Sequence, residues 1–122
     1  MSKRLLTALF VLVALPGPRP QTSPVNVKLR VVLVDKDLNQ KPVPFYVVSF
    51  RNTVSGDTSS ELKTDLEGKA EKQLPPGKYS ITTSKPVELG GKRYTWNLEV
   101  QINGAEQHLD LTNDNAKAED LA

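Results

Sequence analysis

The chain contains no cysteine. A disulfide framework, a thiolate zinc site, a cysteine nucleophile and a lipoprotein-type lipid anchor are excluded with it, because each needs the sulfur. Methionine and histidine occur once each, against nine prolines and seven glycines. With no long polar repeat, that balance favours a loop-rich β protein over a helical bundle or a disordered chain. The length of 122 residues holds at most one globular domain with a small attachment, and excludes a large multidomain enzyme.

The excess of positive over negative charge is small too. The formal net charge is +2, but Lys3, Arg4 and Arg19 precede every acidic residue; setting them aside takes the 16 Lys and Arg to 13, against 14 Asp and Glu. A near-neutral domain without a Lys/Arg cluster gives no electrostatic reason to expect a nucleic-acid partner.

The N-terminus has the order of a secretory signal: Lys3 and Arg4, then uncharged residues 5–15, then Pro16-Gly17-Pro18. Eleven residues rising about 1.5 Å each cover about half of a roughly 30 Å hydrocarbon core, so no stable membrane span is expected. A buried N-terminal helix is disfavoured because no polar face alternates with the apolar one. Residues 1–20 are therefore read as a signal peptide and residues 21–26 as a Pro-rich leader. Cleavage falls near residues 16–21, and the mature protein is expected to be secreted or periplasmic.

From Val27 onward apolar residues recur with period two, which in a strand puts them on one face. Val27, Leu29, Val31 and Leu33 alternate with Lys28 and Arg30 up to the polar turn Asp35-Lys36-Asp37-Leu38-Asn39. Residues 44–50 are apolar at both parities, as in a strand covered on both sides or bordered by a loop. Residues 53–60 read as a loop. Strands 61–64 and 69–74 flank Asp65-Leu66-Glu67-Gly68, where glycine closes a tight turn. Residues 78–84 place Tyr79, Ile81 and Thr83 on one face. In residues 92–102, Tyr94, Trp96, Leu98, Val100 and Ile102 alternate with polar neighbours. Asn103-Gly104 is the strongest short hairpin signal, and residues 106–112 return with Leu109 and Leu111 inward. The seven strands predict an all-β, antiparallel sandwich over residues 27–112. Residues 113–122 are read as a flexible polar tail or one short helical turn.

Three patterns in fixed order resemble the carboxypeptidase regulatory-like domains, which have a transthyretin-like (prealbumin-like) fold related to collagen-adhesin B-type domains. They are Val32-Leu33-Val34-Asp35 to Lys41-Pro42-Val43-Pro44, the turn Thr64-Asp65-Leu66-Glu67-Gly68-Lys69-Ala70, and Leu74-Pro75-Pro76-Gly77-Lys78-Tyr79. The resemblance covers residues 27–84 and implies a seven-stranded antiparallel Greek-key β-sandwich. Its residues serve the scaffold: Pro42-Val43-Pro44 suits a strand edge, and Tyr79 can bury its ring with its hydroxyl at a polar boundary.

Active variants of similar folds imply residues that can be sought here. The isopeptide bond of collagen-adhesin B-type and pilin domains uses a first-strand lysine and a glutamate just after the Pro-Gly-x-Tyr strand begins. Val32-Leu33-Val34 and Thr83 stand at those places, so the bond is expected to be absent. Transthyretin-like hydrolases of 5-hydroxyisourate use several histidines and a C-terminal Tyr-Arg-Gly-Ser, where this chain has Glu119-Asp120-Leu121-Ala122. Zinc carboxypeptidases keep their chemistry in a separate domain.

The remaining candidates are each weighed against a plainer role. His108, between Gln107 and Leu109, reads as a surface residue. A triad of His108, Asp110 and Ser55, Ser59 or Ser60 lacks a nucleophile elbow. Asp35, Asp37 and Asn39 match the first ligand positions of an EF-hand loop, but Gln40 replaces its glycine and Tyr46 its closing glutamate; a calcium site completed by another loop remains an alternative. Tyr94 and Trp96 could stack on a sugar, yet their parity with Leu98 favours core burial. Residues 53–60 and 85–93 are the preferred partner loops.

The reading is a non-catalytic exported module, with no catalytic, cofactor or metal residues assigned. It acts in recognition of an unknown protein or cell-envelope surface, or in structural support. The alternatives are a carbohydrate-binding module, and a small hydrolase or calcium-binding domain.

Overall fold

The computed structural model describes residues 23–54 and 59–121. The signal-peptide reading, residues 21 and 22 of the leader and Ser55 lie outside the described residues. Val25 and Asn26, read as leader, open the first strand, because Val25 continues the inward period of Val27 and Leu29. Seven strands have five residues or more: β1 (Val25–Val34), β3 (Val47–Asn52), β4 (Ser59–Lys63), β5 (Lys69–Leu74), β6 (Gly77–Thr82), β9 (Asn97–Ile102) and β10 (Glu106–Leu111). Four shorter strands complete the order: β2 (Gln40–Pro42), β7 (Val87–Leu89), β8 (Lys92–Thr95) and β11 (Lys117–Asp120). The only helical element among the described residues is a 3-10 turn, Asn113–Asn115.

The long strands form a sandwich of two layers. One sheet has β1 between β5 and β10, with β2 on the far end of β1; the other has the order β4-β3-β6-β9. A small sheet, β11-β8-β7, flanks them. All pairings are antiparallel except that of β1 with β10, which is parallel from Asn26↔Glu106 to Val31↔Leu111.

Period two explains the core. Val25, Val27, Leu29, Val31 and Leu33 point inward from β1 and are buried, opposite Val48 and Phe50 of β3 and Tyr79 and Ile81 of β6. Each such side chain contributes on the order of 1.5–3 kcal/mol by leaving water. Edge-to-face pairs fix the ring orientations: Tyr46 on Trp96 with centroids 5.8 Å apart, and Phe50 on Tyr79 at 6.5 Å. Thr64 is the buried polar side chain among the described residues. Its hydroxyl donates to the Val43 carbonyl at 2.6 Å and accepts the Tyr46 N–H at 2.8 Å, so neither group is stranded in the core.

Three local expectations change. The run 92–102 is divided at Trp96 into β8 and β9, which belong to different sheets. Inward parity survives the switch, because Tyr94, Trp96 and Ile102 all stay buried, and periodicity reports the face but not the pairing partner. At the break, Thr83 replaces a ladder: its N–H donates to the Trp96 carbonyl and its Oγ1 accepts the Trp96 N–H.

Asn103-Gly104 closes no hairpin. Gly104 has φ 84° but Asn103 is not at positive φ, and the turn carries the chain across the sandwich from β9 to β10. Residues 113–121, expected as a flexible tail or one short helical turn, do form a short 3-10 turn but continue into β11 paired on β8. Asn113 secures this segment by accepting the Val34 N–H at 2.7 Å and donating to the Val34 carbonyl at 3.1 Å.

Candidate functional site

The residues of β1 that point away from the core define a polar face. Antiparallel β5 on one side and parallel β10 on the other give it three rows. They are Gln73–Asn26–Glu106, Glu71–Lys28–His108 and Lys69–Arg30–Asp110. A shallow cavity of ≈ 750 Å³ lies over the second and third rows and reaches Asp65 at the turn before β5.

Most groups on this face already have partners. Glu106 bridges Lys28 Nζ at 3.4 Å and His108 Nε2 at 3.0 Å. The Lys28 charge first, and the His108 hydrogen bond second, hold the Glu106 carboxyl below the usual carboxylate range. Asn26 Nδ2 donates to Glu71 Oε2 at 2.8 Å. Asp65 Oδ1 accepts the N–H groups of Glu67 and Lys69, and the Lys69 amide is the first cause of its lowered pKa.

Arg30 differs. Its Nε is buried and has no hydrogen-bond partner; Asp110 Oδ1, at 4.0 Å, is beyond hydrogen-bond reach. A buried donor left unmade costs about 1–3 kcal/mol, so the central cation of the cavity is poorly served by its own protein.

The sequence-derived candidates fare unevenly. His108 is exposed, as its parity predicts, and contacts Glu106, which also pairs with Lys28. Ser59 and Ser60 lie on β4 of the other sheet, paired with Arg51 and Phe50, so the fold does not bring them to the strand that carries His108 and Asp110. The Asp35 carboxylate accepts the Asp37 and Asn39 N–H groups, both at 2.9 Å, and the Asn39 amide leads in lowering its pKa. Among the described residues no group of three His, Asp or Glu is placed to hold a metal.

Trp96 is 1% exposed and Tyr94 8%, so neither offers a stacking surface. Trp96 Nε1 is held by the Thr112 carbonyl and Asn115 Oδ1. The proposed partner loop 85–93 is largely the hairpin β7-β8, turning through Gly90 and Gly91 at φ 59° and 77°. In residues 53–60, Val54 is exposed, residues 55–58 lie outside the described residues, and Ser59 and Ser60 open β4.

Two features escaped the sequence reading. Phe45 is 58% exposed at φ 54°. Four hydrogen bonds between Thr64 and the carbonyls and amides of residues 43–46 hold it there, and Lys63 Nζ stands 5.9 Å from its ring. The other feature is the Arg30 cavity. Parity alone turns Lys28 and Arg30 outward, but only the pairing of β5 and β10 assembles their neighbours.

No protein-family model matches the chain, and no curated protein matches it. Solved structures that share its fold include the following three. A Pseudomonas aeruginosa protein proposed to bind carbohydrate is 16% identical at TM-score 0.54, covering 77% of this chain and 91% of its own. The minor pilin GBS52 of Streptococcus agalactiae is 21% identical at TM-score 0.55, covering 75% of this chain and 43% of its own. The Bacillus anthracis TIE protein is 21% identical at TM-score 0.51, covering 72% of this chain and 16% of its own. Among the described residues no helix is long and apolar enough to cross a membrane. At these identities the likeness is one of architecture: the chain is an all-β sandwich of the kind found in a minor pilin and in a protein proposed to bind carbohydrate.

Proposed function

We propose that the chain is an exported, non-catalytic recognition module of carboxypeptidase regulatory-like type, which engages a cell-envelope or extracellular surface through the outer face of β5, β1 and β10. The observation that carries this reading is the cavity around Arg30. It is a concentrated set of charged and hydrogen-bonding groups rooted on three paired strands over an apolar interior, with a central cation short of partners. Side chains on such a support keep fixed spacings, which recognition requires. The signal-like N-terminus supports export, and the shared architecture with a minor pilin agrees with work at a surface. The buried rings of Tyr94 and Trp96 weigh against sugar stacking at those residues.

The test is cosedimentation of the full chain with envelope fragments, followed by chemical crosslinking and mass spectrometry. The module reading predicts saturable retention and crosslinks from Lys28 and Lys69. Retention that rises linearly without saturating, or crosslinks scattered over both faces, would count against it.

A further inference from the structure

Resting on that recognition reading, we propose that the cavity of the β5–β1–β10 face binds an acidic saccharide, with Arg30 receiving the carboxylate of a uronate residue. Arg30 stands on the middle strand between Lys69 and Asp110. Its guanidinium lines the cavity with 42% of the side chain exposed, while Nε lacks an acceptor. Of the other cations, Lys28 and His108 share Glu106. The Lys69–Glu67 pair at 3.7 Å, like Arg30–Asp110 at 4.0 Å, is an ion pair too long to be a hydrogen bond. A carboxylate matches a guanidinium through two parallel N–H···O bonds.

The anions around this cation select the class of ligand. Asp65, Glu71 and Asp110 line the same cavity, so a ligand whose side groups are all carboxylates, such as an acidic peptide, offers these anions no hydroxyl donors and meets repulsion on either side of Arg30. A uronate brings one carboxylate and several hydroxyls. Those hydroxyls donate to Glu71 and Asp110 and accept from Lys69 and Lys28, which uses both kinds of group on the face. The cavity of ≈ 750 Å³ is within the roughly 300–1,000 Å³ typical of small-ligand sites.

The experiment is calorimetric titration of the full chain at low salt with trigalacturonate, maltotriose and hexaglutamate. Trigalacturonate is expected to bind saturably and maltotriose at least about tenfold more weakly, the ratio a charge-assisted hydrogen-bond pair confers. Arg30→Gln should weaken trigalacturonate by about tenfold or more, and Arg30→Lys should recover part of that, since charge returns without the planar fork. Lys78→Gln, on the opposite sheet and paired with Glu99, should leave binding within about twofold. Unchanged amide spectra of Arg30→Lys exclude misfolding as the cause.

Equal binding of maltotriose, tighter binding of hexaglutamate, or an Arg30→Gln protein that binds as well as the parent would each overturn the proposal. Envelope fragments retained saturably by a chain that ignores trigalacturonate would overturn this inference and leave the recognition reading standing. Loss of both kinds of binding would overturn both.

Discussion

Two turns of this chain share one hydrogen-bond plan and differ in the residue at its left-handed position. In Asp35-Lys36-Asp37-Leu38-Asn39 and in Asp65-Leu66-Glu67-Gly68-Lys69, the aspartate Oδ1 accepts the N–H groups two and four residues on. Its carbonyl accepts from the fourth residue of the turn, and its own N–H donates to the carbonyl of the fifth. The fourth residue has positive φ in both, 67° at Leu38 and 78° at Gly68. The aspartate alone therefore fixes the turn, since the same bonds form around leucine and around glycine. What demands glycine is the neighbourhood. A Cβ on Gly68 would stand 2.5 Å from the Val31 carbonyl oxygen, whereas Leu38 projects outward and is 81% exposed.

The largest expected effect comes from Gly68→Ala. Positive φ costs a residue with a Cβ about 1–2 kcal/mol, and the overlap with Val31 adds an overpacking cost of about 1–3 kcal/mol. Urea unfolding should show a loss of roughly 2–5 kcal/mol. A loss no greater than the positive-φ cost would mean that the Val31 approach is not close.

Acid should act on both turns next. The folded-state pKa of Asp35 and of Asp65 is depressed by the amides each carboxylate accepts, below the ordinary 3.8. Their contribution is therefore complete well above pH 3.8, and is lost as pH falls through the lower folded values. Asp65→Asn keeps an acceptor oxygen for the same amides but cannot ionise. Parent minus variant stability should be positive at pH 6 and shrink toward zero in strong acid; a difference constant with pH would sink the charge-assisted account.

The smallest effect is a gain. Leu38→Gly relieves about 1–2 kcal/mol of left-handed strain and returns about 0.5–1 kcal/mol as chain entropy. The net stabilisation should be at most about 1.5 kcal/mol, read as a rise in Tm of a few degrees. A Leu38→Gly protein less stable than its parent would show that the leucine has a packing role this structure does not give it.

Legibility followed the physics of each element. The bounds of β5, residues 69–74, were readable because a glycine turn and Pro75-Pro76 punctuate them. The burial of Trp96 was readable from parity. Pairing was not, since an Asn-Gly turn looks the same whether the next strand folds back beside β9 or crosses to β1. β11 was hidden for another reason. All four of its residues are exposed, so it prints no apolar period, and only its ladder to β8 and the Lys92–Asp120 ion pair at 2.6 Å define it. The site inherits the pairing problem. Lys28, Arg30 and His108 were individually placed on solvated faces, but their assembly beside Glu71 and Asp110 depends on the direction of β10.

That direction is the claim on which the site depends, and cross-strand backbone NOEs measure it. The account predicts contacts between β1 and β10 that advance together, from Asn26 with Glu106 through Leu29 with Leu109 to Val31 with Leu111. Contacts from β9 to β10 converging on Asn103-Gly104, as in a hairpin, would contradict it and disperse the face around Arg30.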